Sequence, residues 1–160
     1  MISPLSAHAA AQINPLNLAF LGDTVWEGYV RDRLFLSLQN APAQVLHHSC
    51  VAYVRASSQS DALEAWTNEL SEEEEGILRR GRNQKPGHCP RNVLKADYRR
   101  ATGFEALLGY VYLLGDALRL QHLMTLAFER IQETLGEGEA IQSPPARPAQ
   151  DPSCAERNSP

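Results

Sequence analysis

Cysteine is scarce in this 160-residue chain: three residues, an odd number and widely spaced. That excludes a disulfide-stapled scaffold and fits a reducing compartment. No apolar run approaches the roughly 18 residues needed to cross a bilayer. The N-terminus, MISPLSAHAAAQ, lacks the basic start and apolar centre of a secretory signal. A cytoplasmic protein with no membrane association is expected. His47, His48, Cys50, His88 and Cys89 show no C-x2-C or H-x3-H spacing, which argues against zinc. G-x-S-x-G, the phosphate-loop lysine motif and G-x-G-x-x-G are absent too, so triad hydrolysis and nucleotide-cofactor chemistry have no support. Aromatic residues make up 7% of the chain, and no RNP-like aromatic motif points to base-specific reading of nucleic acid.

What is present is a hydrophobic fraction of 43%, near the globular average and enough for one core. No stretch alternates like an amphipathic strand; apolar residues recur at helical spacing instead. Leu18, Leu21, Val25, Trp26, Tyr29, Val30 and Leu34 trace a stripe after Pro15, so the spacing predicts one long helix over 16–38. Pro42 suits the first turn of the next helix, which Leu46, Tyr53 and Val54 continue. Ala62, Leu63 and Trp66 mark a further segment. Ser71 and Glu74 form a capping box before another helix, and the four glutamates 72–75 complement the positive end of its dipole. Two prolines and a glycine in 83–93 break regular structure. Periodicity resumes at Tyr98, runs from Phe104 to Leu114, and again from Asp116 to about Leu135. Six or seven helices with short connections predict an all-α domain. We divide the chain into an N-terminal extension (1–13), a domain (14–135) and a tail (136–160). That tail holds five of the ten prolines and Cys154, and its composition is that of a disordered segment.

The net charge of −4 discourages a nucleic-acid partner until its distribution is considered. Between Gly76 and Arg100 stand Arg79, Arg80, Arg82, Lys85, Arg91, Lys95, Arg99 and Arg100 against the single acid Asp97. Those 25 residues carry +7, and the other 135 carry −11. One reading is a solvated face whose arginines pair with the glutamates 72–75. The other is a phosphate-binding surface: arginine forks match phosphate oxygens, Asn83 and Asn92 stand among them, and Gly81 and Gly87 let backbone approach a ligand. His88 and Cys89 lie in the same loop. Such neutralisation supplies the sequence-independent, salt-sensitive part of nucleic-acid affinity.

Two acids stand where the pattern calls for apolar residues. Asp23 follows Leu21-Gly22, and Glu105 lies in Gly103-Phe104-Glu105-Ala106-Leu107. Aspartate and glycine are both poor helix-interior residues, and a buried charge must be paired or bind a metal. Two carboxylates from separate helices can hold Mg2+, which keeps several waters. The alternative is that each is a surface acid or pairs with an arginine such as Arg99 or Arg100. Glu27, one turn after Asp23, is either a third acid of the site or a partner of Arg31.

The segment Leu18-Ala19-Phe20-Leu21-Gly22-Asp23-Thr24-Val25 resembles the signature helix of ribonuclease III, and Phe104-Glu105-Ala106-Leu107-Leu108-Gly109-Tyr110-Val111 resembles that fold's second acidic helix. Arg79-Arg80-Gly81-Arg82-Asn83 between them, with Tyr98-Arg99 and Thr102-Gly103, resembles the Mini-ribonuclease III branch, over roughly residues 14–135. The resemblance implies an all-α homodimer that cuts double-stranded RNA with Mg2+, or Mn2+ in its place, leaving 5′-phosphate ends. It further implies maturation of the large-subunit (23S) ribosomal RNA precursor, with room for a ribosomal protein that presents the substrate. Longer ribonucleases III place acids where this chain has Ala19 and Thr102, so only Asp23 and Glu105 carry over as catalytic metal ligands. With no room for a separate RNA-binding domain in the ordered core, the RNA contacts are expected from Arg79, Arg80, Arg82, Asn83, Lys85, Arg91, Lys95, Arg99 and Arg100. The rival reading is a non-catalytic RNA- or ribosome-binding adaptor that uses the same basic segment.

Overall fold

The computed structural model describes residues 3–85 and 91–138. Among these, α1 spans Ala7–Ala11, α2 Pro15–Ser37, α3 Ala43–Val54 and α4 Ala56–Ala62, followed by a 3-10 turn at Leu63–Trp66. Then come α5 at Glu72–Arg82, α6 at Lys95–Leu114 and α7 at Ala117–Gly138. The described residues contain no strand, as the periodicity requires. No helix among them is long and apolar enough to cross a membrane. His88 and Cys89, at the centre of the Pro/Gly loop, lie outside the described residues. So does the tail from 139 onward, whereas α7 continues three residues into the segment 136–160.

Local chemistry sets the boundaries. The Asn14 side chain accepts from the Leu16 amide at 2.9 Å, and Pro15 opens α2, where a missing N–H costs nothing. Pro42 sits one position earlier than its expected place, as the N-cap of α3. The capping box forms as read: Glu74 N–H donates to Ser71 Oγ (3.2 Å) and Ser71 N–H to Glu74 Oε2 (2.8 Å). Gly115, with φ 72°, ends α6 in the left-handed region. Asp116 then accepts from the Arg119 amide and caps α7.

Helix α6 is the axis of the molecule. Phe104, Ala106, Leu107, Leu108, Tyr110 and Val111 are all buried, on more than one face, as expected of a helix wrapped by others. Phe104 stacks on Trp66 at a centroid distance of 4.7 Å and meets Trp26 edge-on at 5.2 Å. Both indoles also satisfy their N–H groups, Trp26 on the Tyr53 carbonyl and Trp66 on that of Leu123. Short α1, which periodicity did not reveal, is capped by Ser6, and Leu5 N–H donates to the Leu113 carbonyl (2.8 Å).

Helices α2 and α6 touch through backbone. A Cβ added at Gly22 would lie 2.7 Å from the Glu105 carbonyl carbon and 2.8 Å from the Gly109 nitrogen. One added at Gly109 would lie 2.9 Å from the Leu18 carbonyl carbon. Gly81, read as a point of ligand approach, serves the same purpose between α5 and α6: it is buried, and a Cβ there would stand 2.8 Å from Ala106 Cβ.

Candidate active site

The glycine crossing fixes where the acids stand. Asp23 is the residue after Gly22, and Glu105 is the residue whose carbonyl Gly22 meets. Both line one cleft, together with Leu16, Ala19, Phe20 and Gln59 and, from the basic side, Val93, Tyr98 and Thr102. Asp23 is exposed at the rim and Glu105 is half-buried. Asp23 is therefore not a core acid; it sits on the solvent side of the stripe, where α2 turns toward the cleft.

Neither acid pairs with a cation among the described residues. Arg100 donates instead to the Ser60 carbonyl at 2.9 Å. Burial, and then the Asp23 charge, push Glu105 up to about 8, against a smaller opposing effect of Gln59. Burial and the neighbouring Glu27 raise Asp23. Glu27 itself accepts from the Arg31 Nη2 at 2.5 Å and Nε at 2.9 Å, which leaves it as the partner of Arg31. No group of three or more His, Cys, Asp or Glu side chains converges among the described residues. The donor set is thus two carboxylates with mutually repelling charges and open solvent on one side. It fits Mg2+, which takes one or two protein carboxylates and keeps its remaining waters. Ala19 and Thr102 both face the same cleft, Thr102 with its hydroxyl donated to the Tyr98 carbonyl at 2.9 Å.

The basic residues divide into two groups. Arg79, Arg82, Asn83, Lys85, Arg91, Lys95 and Arg99 are exposed, and none of them forms an ion pair with a described residue. The glutamates at the start of α5 do not take them up: Glu74 pairs with Arg119 at 2.8 Å. Arg80 and Arg100 point elsewhere. The Arg80 guanidinium donates to the carbonyls of Ala11 (2.5 Å) and Ile13 (3.3 Å), which ties the C-terminal end of α1 and the turn after it to α5.

Sequence reading missed Gln59. It is 1% exposed on α4 and reaches the same cleft. The only sign was a short polar run, Ser57-Ser58-Gln59-Ser60, which looks like a loop until α6 covers it.

An all-α domain with two acids held at a glycine crossing and a cationic segment beside them belongs to the class of helical nucleases. The model of the Ribonuclease III domain matches residues 16–116. The chain is 42% identical over 129 residues to Mini-ribonuclease 3 of Thermoanaerobacter sp., covering 81% of this chain and 90% of that one. It is 46% identical over 112 residues to Mini-ribonuclease 3 of Gloeobacter violaceus, covering 70% and 80%. A crystal structure of a Fusobacterium nucleatum protein superposes with a TM-score of 0.66 at 30% identity, covering 74% of this chain and 93% of that one. The chain belongs to the Mini-ribonuclease 3 family of ribonuclease III domains and is an endoribonuclease.

Proposed function

We propose that residues 14–135 form the catalytic unit of a Mg2+-dependent endonuclease for double-stranded RNA. The observation that carries this reading is the pairing of Asp23 and Glu105 in one cleft, unpaired with any described cation, with Glu105 destabilised as an anion by burial and by Asp23. A divalent ion relieves that repulsion and, when bound, supplies Lewis-acid activation of water and stabilisation of charge on the phosphate. Asp23 and Glu105 hold it, and their helices keep their spacing through Gly22 and Gly109. Hydrolysis breaks the P–O3′ bond and leaves a 5′-phosphate and a 3′-hydroxyl. Duplex RNA is gripped through phosphates and 2′-hydroxyls rather than base edges, a task suited to Arg79, Arg82, Lys85, Arg91, Lys95 and Arg99 with Asn83. Arg80 and Arg100 shape the segment that carries them.

Two strands call for two sites. Phe20 is 81% exposed and Leu94 73%, and Phe20 and Leu16 border the acid cleft. A C2 homodimer built on this apolar rim covers it and sets one acid pair against each strand. The substrate we infer, as the sequence resemblance implies, is the 23S ribosomal RNA precursor in the cytoplasm, with a ribosomal protein assisting its presentation. Incubation with long double-stranded RNA with and without Mg2+, read on a native and a denaturing gel, tests the reading. Mg2+-dependent fragments support it; salt-sensitive retention without fragments supports the adaptor instead.

A further inference from the structure

Helix α4 buries three consecutive polar side chains, Ser58, Gln59 and Ser60. Two are accounted for. Ser58 Oγ donates to the Ala52 carbonyl at 2.7 Å, and Ser60 Oγ to Asp97 Oδ1 at 3.0 Å. Gln59 Nε2 is buried with no hydrogen-bond partner. An amide left so costs about 1–3 kcal/mol, and an apolar side chain of similar volume would fill the position without that cost. An orphaned polar atom in a native core calls for an explanation. Gln59 lines the cleft that holds Asp23 and Glu105, and its side chain lies close enough to Glu105 to favour the charged carboxylate.

We propose that Gln59 is a positioning residue for Glu105: its Nε2–H donates to one carboxylate oxygen when Glu105 binds a divalent ion, and so turns the other oxygen into the cleft. Glu105 brings a flexible side chain with two equivalent oxygens. A donor fixed on a neighbouring helix decides which of them faces the ion. Outer partners of this kind orient metal ligands, and their loss costs about 10–100-fold in metal affinity or activity.

The inference rests on Glu105 being a metal ligand, and one titration separates the two claims. Mn2+ binding is measured by electron paramagnetic resonance on the full chain, for the parent protein, Gln59→Met and Glu105→Gln, with melting temperatures taken alongside. Gln59→Met keeps the volume and removes the donor. The expected result is Mn2+ affinity at least about 10-fold weaker, with a melting temperature equal to or above the parent's. Parent-like Mn2+ binding by Gln59→Met, with binding lost in Glu105→Gln, overturns the role of Gln59 alone. Parent-like binding by Glu105→Gln overturns the ligand assignment and the inference with it.

Discussion

Gly22 of α2 lies directly against the carbonyl of Glu105 in α6, with no space for a side chain between them. One contact thus sets both the packing of the central helix and the separation of the two acids, since Asp23 is the next residue along. Gly22→Ala should cost about 3 kcal/mol or more, the upper range for forcing an atom into a packed core, because the obstacle is backbone that cannot rotate away. Gly28 is the control: it occupies the same helix, and a Cβ there meets nothing within 4 Å. Gly28→Ala should stabilise by up to about 1 kcal/mol through helix propensity. Thermal unfolding of the two variants side by side checks the pair; equal effects would show that the helices do not cross at Gly22.

Glu105 also predicts a dependence on pH. Its folded pKa, about 8, stands above the ordinary 4.5, so the folded state holds the proton more tightly than the unfolded chain does. The stability this gives is complete below 4.5 and is lost as pH rises through 8. Glu105→Gln should therefore melt higher than the parent at pH 8, with the gap closing toward pH 4.5. Mg2+ should raise the parent's melting temperature at pH 8 and leave that of Glu105→Gln unchanged. Parallel melting curves across the pH range would contradict the assignment.

The two kinds of arginine should respond differently to mutation. Charge reversal at Arg82 or Arg99 should weaken RNA binding and reduce the slope of log K against log salt by about one for each phosphate no longer neutralised. Arg80→Ala removes donors to Ala11 and Ile13, so its main effect should be a loss of about 1 kcal/mol in stability. Filter binding across a salt series, with melting temperatures alongside, distinguishes them. A salt slope that changes more for Arg80 than for Arg82 would place the RNA on the other side of α5.

If the proposed homodimer forms, Phe20→Glu should convert it to a monomer in sedimentation velocity at micromolar concentration. It places a charge where an isologous interface would have to bury it twice. A parent that already sediments as a monomer would rule the homodimer out.

The long helices were legible because burial is periodic: Leu18, Trp26, Val30 and Leu34 are buried at the spacing the sequence shows. The start of α5 was legible because a capping box is a local device, complete within four residues. The acid pair stood out because aspartate beside glycine opposes helix formation, and the crossing of α2 and α6 explains the glycine. Other features depend on what lies across the fold. Five residues, Ala7–Ala11, carry too little periodicity to announce a helix, and tertiary contacts with α6 hold α1 in place. Gly81 read as a ligand contact because local sequence cannot show that α6 passes over it. Nor could charge alone separate Arg80 and Arg100, which donate to backbone carbonyls, from Arg82 and Arg99, which face solvent. Gln59 was hidden for the same reason, in a polar run that looks solvated until α6 packs on it.

Cleavage by Asp23 and Glu105 acting together is what we propose. It is tested most directly by Asp23→Asn, an isosteric change at an exposed position that removes one charge and no packing. The measurement is the initial rate of fragment formation from long double-stranded RNA in Mg2+, with the fold verified by circular dichroism. The expected result is a folded protein that still retains RNA at low salt and makes no 5′-phosphorylated fragments. Cleavage by Asp23→Asn at the parent rate would contradict it.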